Sequence, residues 1–213
     1  MGGPDEARRD ATAATLSGNF HALNTVAVEC VRQGPVSEAA LDHDGCVTRD
    51  EVRLLTIAAL GGGTGHLWDV GAGSGAVAID HIRAGGRATL FERMPARVAA
   101  IRRNLADAAD DAAPVFEGDA KAWLSAAETP DAVFMGGAVG DGQLFDALWA
   151  RLPAGGILVS NAVTVEGEAA TLARFAEFGG SLTRIALSFS GPVGGLNALR
   201  PAMPVLQWRV VKA

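Results

Sequence analysis

Cysteine and histidine are scarce in this sequence of 213 residues, which contains two cysteines and four histidines. Cys30 and Cys46 have no metal-ligand spacing and cannot build a framework of disulfide bridges. No histidine has a second histidine three or four residues further along, so we expect no metal site. We assign the histidines to the surface or to capping positions: His21, His43, His66 and His81.

Long apolar runs and an excess of positive charge are also missing. No stretch approaches the roughly 20 apolar residues that span a bilayer. The first 16 residues carry charges where a signal peptide needs an apolar stretch. The formal net charge is −6, and no basic stripe is present to hold a phosphate backbone. We therefore expect a cytoplasmic protein that binds neither membrane nor nucleic acid, with room for a local basic pocket that holds a small acidic substrate.

From Thr48 onward, strand-like and helix-like segments alternate, as is typical of an α/β sheet. The last two strand-like runs, 182–188 and 204–211, are joined by a Gly/Pro-rich loop without a helix, which predicts that they pair antiparallel. A doubly wound, mainly parallel seven-stranded sheet that ends in an antiparallel hairpin resembles the class I SAM-methyltransferase fold. The strands are expected at 66–70, 88–91, 114–116, 131–135, 157–160, 182–188 and 204–211.

The first 36 residues do not fit this alternating scheme. Asp5–Leu16 is rich in alanine and predicts a helix, and Asn24–Val31 predicts a strand. We therefore divide the chain into an N-terminal extension, 1–36, and a main α/β domain, 37–213. Near the start of that domain, the run Thr48-Arg49-Asp50-Glu51 predicts a capping box at a helix N-terminus.

A glycine-rich turn follows the first predicted strand and reads Asp69-Val70-Gly71-Ala72-Gly73-Ser74-Gly75. Its glycines let the backbone approach a ligand closely. The helix that follows offers free N–H groups to a carboxylate such as that of methionine. Asp69 is placed to take an ammonium group, and Glu92, at the end of the second strand, to accept both hydroxyls of a ribose. Asp119 and Ala120 follow the third strand, where adenine is expected, and Asp119 is equally suited to cap the next helix.

The same loop also satisfies the dinucleotide pattern G-x-G-x-x-A through Ala76, and Glu92 has a suitable spacing to bind the ribose of NAD. The acidic Asp69 ahead of the glycines is unfavourable for a pyrophosphate but suits an aminoacyl cation. We interpret the loop as a site for S-adenosylmethionine (SAM). A nicotinamide site and a glycine turn without a ligand are the alternatives.

Four stretches resemble the decarboxylating precorrin methyltransferases of cobalamin biosynthesis, and the resemblance covers roughly Leu41 to the C-terminus. The stretches are Asp44–Arg53, Leu67–Gly75, Asp131–Gly137 and Leu158–Thr164. The resemblance implies SAM as the cofactor, methyl transfer to carbon 15 of a ring-contracted tetrapyrrole, and loss of carbon dioxide from the acetate on carbon 12. The chain departs from the family after the fourth strand, where Ala138-Val139-Gly140-Asp141-Gly142 replaces a denser Gly/Ser loop.

The resemblance also implies individual contacts. For the cofactor these are Thr48, Gly71 to Gly75, Glu92 and Ala120. The substrate carries acetates and propionates, so positive side chains are expected around its pocket. Arg200, in the loop Ser190–Pro201, is the first candidate for such a side chain. Ligands of open α/β sheets bind outside the carboxyl ends of the strands, where Asn161, Gly136 and Gly137 are expected. These four residues form the predicted substrate and catalytic set. A stacking role for Phe189 or Trp149 competes with a place in the core.

The N-terminal extension resembles the last elements of the tetrapyrrole methylase fold. This implies a fused precorrin C5-methyltransferase domain ahead of the present one, with a native extension as the alternative. The family is generally oligomeric, which implies a homo-oligomer. Other functions remain open: a SAM-dependent methyltransferase of another small molecule or of tRNA adenine, an NAD-dependent oxidoreductase, and a SAM-binding module without activity.

Overall fold

The computed structural model describes residues 34–45, 47–108 and 113–213. The predicted elements Asp5–Leu16 and Asn24–Val31, and with them His21, Cys30 and Cys46, lie outside the described residues. In chain order the elements are α1 Asp50–Ala59, β1 His66–Val70, α2 Ala76–Arg83, β2 Arg87–Glu92, α3 Pro95–Ala108, β3 Val115–Glu117, β4 Ala132–Met135, α4 Gly142–Arg151, β5 Ile157–Ala162, α5 Val165–Phe178, β6 Ser181–Ile185, β7 Ser188–Val193, β8 Leu196–Pro201 and β9 Val205–Val211.

Seven strands form one sheet in the order β3-β2-β1-β4-β5-β9-β6. The pairs from β3 to β5 are parallel, whereas β9 runs antiparallel to both β5 and β6. The predicted doubly wound, mainly parallel sheet with an antiparallel C-terminal pair is therefore confirmed.

The segment between β6 and β9 corrects one prediction. The residues expected to form the loop Ser190–Pro201 belong largely to β7 and β8, which pair only with each other within the described chain. Their turn is Gly194-Gly195, and Gly194 has φ 59°, which the tight turns of two-residue hairpins require. We call residues 188–201 the arm.

The arm leaves the sheet at the carboxyl ends of the parallel strands. Ile185 at the end of β6 pairs with Val205, and the next residue of β9, Leu206, pairs with Ala162 at the carboxyl end of β5. The base of the arm therefore lies near the carboxyl ends of the parallel strands.

Buried apolar residues on both faces explain why the central strands are parallel and covered by helices. Every residue of β1 is buried, and the surface or capping assignment is wrong for His66 of β1 and for His81 of α2, which are both buried. Trp68 packs with Phe145 and Leu148 of α4, whereas its neighbour Leu67 packs on the opposite face with Ile79 of α2 and Ile101 of α3. No helix in the part of the chain that the structure describes is both long and apolar enough to cross a membrane.

The helix α1 begins at Asp50, and Arg49 occupies its N-cap position without a side-chain cap. The predicted capping box is therefore wrong, because the chain does not enter the helix at Thr48. Instead, the acid at the first helical position is used elsewhere: the Asp50 carboxylate accepts a hydrogen bond from the Glu38 amide at 2.9 Å and pairs with Arg53 at 3.0 Å.

A buried ion pair holds the segment that leads into α1. Arg53 is fully buried and pairs with Asp80 of α2. Its guanidinium also donates to the carbonyl oxygens of Thr48, at 2.7 Å, and Val36. The Asp80 carboxylate in turn accepts from the Val36 amide at 2.7 Å. The backbone of residues 36–48 is thereby tied to the two helices.

Candidate cofactor and substrate site

The glycine loop after β1 uses conformations that other residues adopt only with strain. Gly71, Gly73 and Gly75 have φ values of 71°, 61° and 78°. A Cβ atom on Gly71 would lie 3.0 Å from the backbone nitrogen of Gly137. Only glycine therefore lets this loop touch the segment after β4, and the structure brings the predicted cofactor loop together with the predicted substrate residues Gly136 and Gly137.

Glu92 braces the loop from the end of β2. Its Oε2 accepts from the Gly73 amide at 2.9 Å, and its Oε1 accepts from the Met94 amide at 2.9 Å. Each carboxylate oxygen can accept a second hydrogen bond, so this brace is compatible with the predicted contact to ribose. That contact stays a prediction.

Asp69 lies beneath the loop and is 1% exposed. Its Oδ2 accepts from the Ala78 amide of α2 at 3.1 Å, whereas its buried Oδ1 has no partner among the described residues. Burial raises the pKa of this carboxyl to about 7. The hydrogen bond from Ala78 lowers this pKa, and the negative charge of Glu92 raises it. A buried acidic oxygen without a donor fits the aminoacyl cation for which the sequence predicted Asp69.

Asp119 caps the turn at the expected adenine position. Its carboxylate accepts from the Lys121 amide at 3.0 Å, which confirms the capping prediction, although the helix is only a 3₁₀ turn over Ala120–Ala122. Beyond this turn, the ring of Trp123 stacks on Phe116 at a centroid distance of 5.2 Å. The contact of Asp119 and Ala120 with adenine stays a prediction.

Asn104 of α3 is a residue that the sequence reasoning missed. It is 4% exposed, and its Nδ2 donates to the carbonyl oxygens of Ser74 and Asp42, both at 2.9 Å. Its Oδ1 accepts from the Asp42 amide at 2.8 Å. One side chain therefore ties the segment ahead of α1 to the glycine loop. The sequence feature that could have indicated this role is a polar residue on the apolar face of α3, between the buried Ile101 and Leu105.

Two predicted residues near β5 and α1 are held by structural contacts. The Asn161 Nδ2 donates to the Thr56 hydroxyl at 3.0 Å, and its Oδ1 accepts from Gln207 at 3.0 Å. Thr48 is half-buried, and its carbonyl oxygen accepts the hydrogen bond from Arg53. A substrate contact by Asn161 and a cofactor contact by Thr48 remain predictions.

The loop after β4 contains a strained residue, and a buried cation from α5 bonds to the residues that follow it. Ala138 has φ 53°, in the left-handed region that favours glycine. Arg174 of α5 is 8% exposed and donates to the carbonyl oxygens of Val139 and, at 3.3 Å, Asp141. Its guanidinium carbon lies 4.3 Å from the ring centroid of Phe145. Burial lowers the pKa of this guanidinium.

The remaining predicted residues have different surroundings. Arg200 is exposed on β8 of the arm and donates to the Pro192 carbonyl at 2.6 Å. Phe189, also on the arm, is half-buried. Trp149 packs against Phe178, with ring centroids 5.0 Å apart, and against the core. The core interpretation of Trp149 is thus confirmed.

A glycine loop at the end of β1, an acid at the end of β2 and this sheet order define the class I methyltransferase fold. A family model described as precorrin methyltransferase domain matches residues 39–212. The chain belongs to the precorrin methyltransferase family, which confirms the resemblance seen in the sequence.

Individual relatives agree with this family. The chain is 41% identical to the precorrin-6Y C(5,15)-methyltransferase (decarboxylating) of Mycobacterium tuberculosis, over 100% of this chain and 56% of that protein. The chain thus spans about half the length of this curated relative. It is 31% identical to the cobalt-precorrin-6B C(15)-methyltransferase (decarboxylating) of Salmonella typhimurium, over 75% of this chain and 85% of that protein.

A solved structure shows the same fold. The C-terminal domain of precorrin-6Y C5,15-methyltransferase from Rhodobacter capsulatus matches with a TM-score of 0.75 and 37% identity. The match covers 83% of this chain and 97% of that domain.

Proposed function

We propose that this chain is a SAM-dependent methyltransferase of cobalamin biosynthesis that methylates carbon 15 of a precorrin and removes the carboxylate of the acetate on carbon 12. The observation that carries this proposal is a glycine loop braced by Glu92, in a chain that belongs to the precorrin methyltransferase family. A precorrin is the acceptor that the family description names.

The residues around the loop suit the parts of SAM. When bound, SAM supplies the methyl group from a positively charged sulfonium. The Asp69 Oδ1, which has no partner among the described residues, would accept a hydrogen bond from the ammonium of SAM. Glu92 would accept from the ribose hydroxyls in addition to the Gly73 amide. The N–H groups at the start of α2 would donate to the carboxylate of SAM. The proposed set is Thr48, Asp69, Gly71, Ala72, Gly73, Ser74, Gly75, Glu92, Asp119 and Ala120.

On the substrate side the protein chiefly has to position the acceptor and exclude water. A bridging carbon of a reduced macrocycle is enamine-like and already nucleophilic, so no strong base is required. Gly136 and Gly137 leave room for the macrocycle beside the loop. Arg200 and Asn161 are proposed to bind polar substituents, and the conjugated substrate itself accepts the electrons released by decarboxylation.

A mass spectrum of the product tests the proposed reaction. The chain is incubated with the ring-contracted precorrin and SAM, and we expect a product that has gained one methyl group and lost one carbon dioxide. An unchanged precorrin, with binding of S-adenosylhomocysteine (SAH) intact, would contradict the proposed acceptor. That outcome would favour the module without activity or a methyltransferase of another small molecule.

Replacing Glu92 by alanine should weaken SAH binding by about 1–3 kcal/mol, because charged hydrogen bonds to ribose and the brace on Gly73 are lost together. Isothermal titration calorimetry measures the change. Glu117→Ala is the matched control, since Glu117 is an exposed acid at the end of the neighbouring strand β3. Equal SAH affinity in the Glu92 variant and the wild type would refute the assignment.

Replacing Arg174 by methionine should lower the rate of methyl transfer by about tenfold and leave SAH affinity unchanged. The variant leaves the carbonyl oxygens of Val139 and Asp141 without their donor, so the strained loop after β4 loses its support. Arg174→Lys keeps a cation that can donate and should recover part of kcat. Unchanged kcat in the methionine variant would show that the loop holds its position without Arg174.

We also propose that residues 1–36 are the tail of a preceding tetrapyrrole methylase domain, fused as a precorrin C5-methyltransferase, and that the methyltransferase domain is 37–213. The support is that the family match begins at residue 39, whereas the longer Mycobacterium relative aligns with 100% of the chain. A chain that begins at residue 34 keeps Val36, which bonds to Arg53 and Asp80, and should bind SAH as tightly as the full chain. Failure of that shorter chain to fold would contradict the boundary.

A homo-oligomer is proposed on the strength of the arm. Leu196 and Leu199 on β8 are 79% and 73% exposed, and a hairpin that pairs only with itself is marginally stable in water. Sedimentation velocity should show an oligomer that Leu196→Asp with Leu199→Asp dissociates. A monomeric wild-type protein would rule this out.

A further inference from the structure

Phe189, near the base of the arm, contacts one arginine and shares a face of the ribbon with a second. Phe189 of β7 lies directly opposite Arg200 of β8 in the antiparallel register, so their side chains share one face of the ribbon. Arg49, at the N-cap of α1, places its guanidinium carbon 5.0 Å from the ring centroid of Phe189. The Phe189 ring therefore carries the Arg49 guanidinium, and Arg200 lies on the same face of the ribbon, where its guanidinium reaches the Pro192 carbonyl.

The position of this cluster is fixed by packing. Val52, one helical turn after Arg49, forms a small buried apolar cluster with Ile185 and Val205, and Leu187 packs against it. This cluster joins the start of α1 to the base of the arm. Because the arm leaves the sheet where β5 ends, the arginines lie at the edge where open α/β sheets bind their ligands.

The charges of these two arginines are not neutralised by acids in the described chain. Other cations there form ion pairs, such as Arg87 with Glu128 and Arg184 with Glu168. Among the described residues, the Arg49 guanidinium instead lies over the Phe189 ring, and the Arg200 guanidinium donates to the Pro192 carbonyl. Both arginines are exposed, so their N–H groups are accessible to an anion.

The residue types match a carboxylate attached to a flat apolar body. A guanidinium presents a planar fork of donors that binds a carboxylate in a bidentate manner, and stacking on an aromatic ring restricts its orientation. We propose that Arg49, Phe189 and Arg200 form a docking site for the acetate and propionate side chains of the substrate. This inference deepens the proposed function and rests on it for the identity of the polycarboxylate; Arg49 and its pairing with Phe189 come from the structure alone.

Binding of uroporphyrin, a macrocycle that bears acetate and propionate side chains, tests the site without turnover. Fluorescence titration in the presence of SAH should show an affinity about tenfold lower for Arg49→Gln and for Arg200→Gln. Arg49→Lys keeps the charge but loses the planar fork, so its affinity should fall between those of the wild type and Arg49→Gln. The matched control is Arg87→Gln, which removes an exposed arginine at the start of β2, at the amino ends of the parallel strands. This variant should bind uroporphyrin as the wild type does.

The docking site and the proposed reaction can fail separately. Wild-type affinity for uroporphyrin in the Arg49→Gln, Arg200→Gln double variant, with SAH binding intact, would overturn the docking site. Unchanged KM for the precorrin in that variant would overturn it as well and leave the proposed reaction standing. Weakened uroporphyrin binding, together with a precorrin that the wild type does not methylate, would support the site and contradict the reaction.

Discussion

Asp69→Asn should raise the free energy of unfolding at pH 8 by about 2 kcal/mol while it removes tight cofactor binding. Burial raises the pKa of Asp69 from 3.8 to about 7, so the folded protein at pH 8 holds a charged carboxylate that it disfavours by about 4 kcal/mol. Asparagine removes this charge but leaves buried N–H groups unpaired, which costs about 1–3 kcal/mol.

The pH dependence of stability follows from the sign of this shift. Below about pH 4 the carboxyl is protonated in both the folded and the unfolded chain, so the raised pKa has no effect. Between pH 4 and 7 the folded chain retains a proton that the unfolded chain has lost, and stability therefore falls as pH rises. Above pH 7 the full destabilisation is present. The advantage of the asparagine variant should accordingly appear at pH 8 and vanish at pH 4.

Urea unfolding at both pH values measures the effect on stability, and calorimetry with SAH measures the effect on binding. We expect at least a tenfold loss of SAH affinity, because the ammonium loses its charged partner. Asp107→Asn, on the exposed face of α3, is the control for the charge change. Equal destabilisation of the variant at both pH values would show that the pKa of Asp69 is not raised in the folded chain.

Asp80→Ala should lower the free energy of unfolding by about 3 kcal/mol, since it leaves the fully buried Arg53 with a single acidic partner. That remaining partner is Asp50, at 3.0 Å. The Val36 amide also loses its acceptor. SAH affinity should fall as well, because the ion pair holds the backbone that leads to Thr48.

Urea unfolding at neutral pH measures this loss. Glu128→Ala is the matched control, because it breaks the pair with Arg87 on the surface, where solvent screens the charges, and should leave stability unchanged. A similar small effect for Asp80→Ala would mean that Arg53 is adequately held by Asp50 and the backbone carbonyl oxygens. The segment ahead of α1 would then not depend on the ion pair.

The parts of the fold that the sequence predicted depend on short stretches of neighbouring residues. The strand His66–Val70 has the predicted bounds, because apolar residues and the flanking glycines act within one segment. The glycine loop and the cap at Asp119 are likewise local. At Thr48 the local pattern failed, because the tertiary pairing of Arg53 with Asp80 fixes the incoming chain.

The arm was missed for a related reason. Its residues carry the Gly-Gly turn of a hairpin, but the flanking strands are largely exposed and lack alternating apolar residues. Without a buried face, periodicity gives little indication of a strand. The pairing of β6 with β9 across this insertion was predicted, because no helix separates the two strand-like runs.

By itself, then, the sequence determined the sheet, the glycine loop and the family, since each depends on residues that are contiguous in the chain. Only the tertiary structure decided which distant side chains support that loop: Asn104 bonds to Asp42 across 62 residues, and Arg174 holds the carbonyl of Val139 across 35. It also decided that Arg49 meets Phe189. Such contacts form between residues far apart in sequence, and no local pattern specifies them, because they exist only once the sheet has brought its helices and strand ends together.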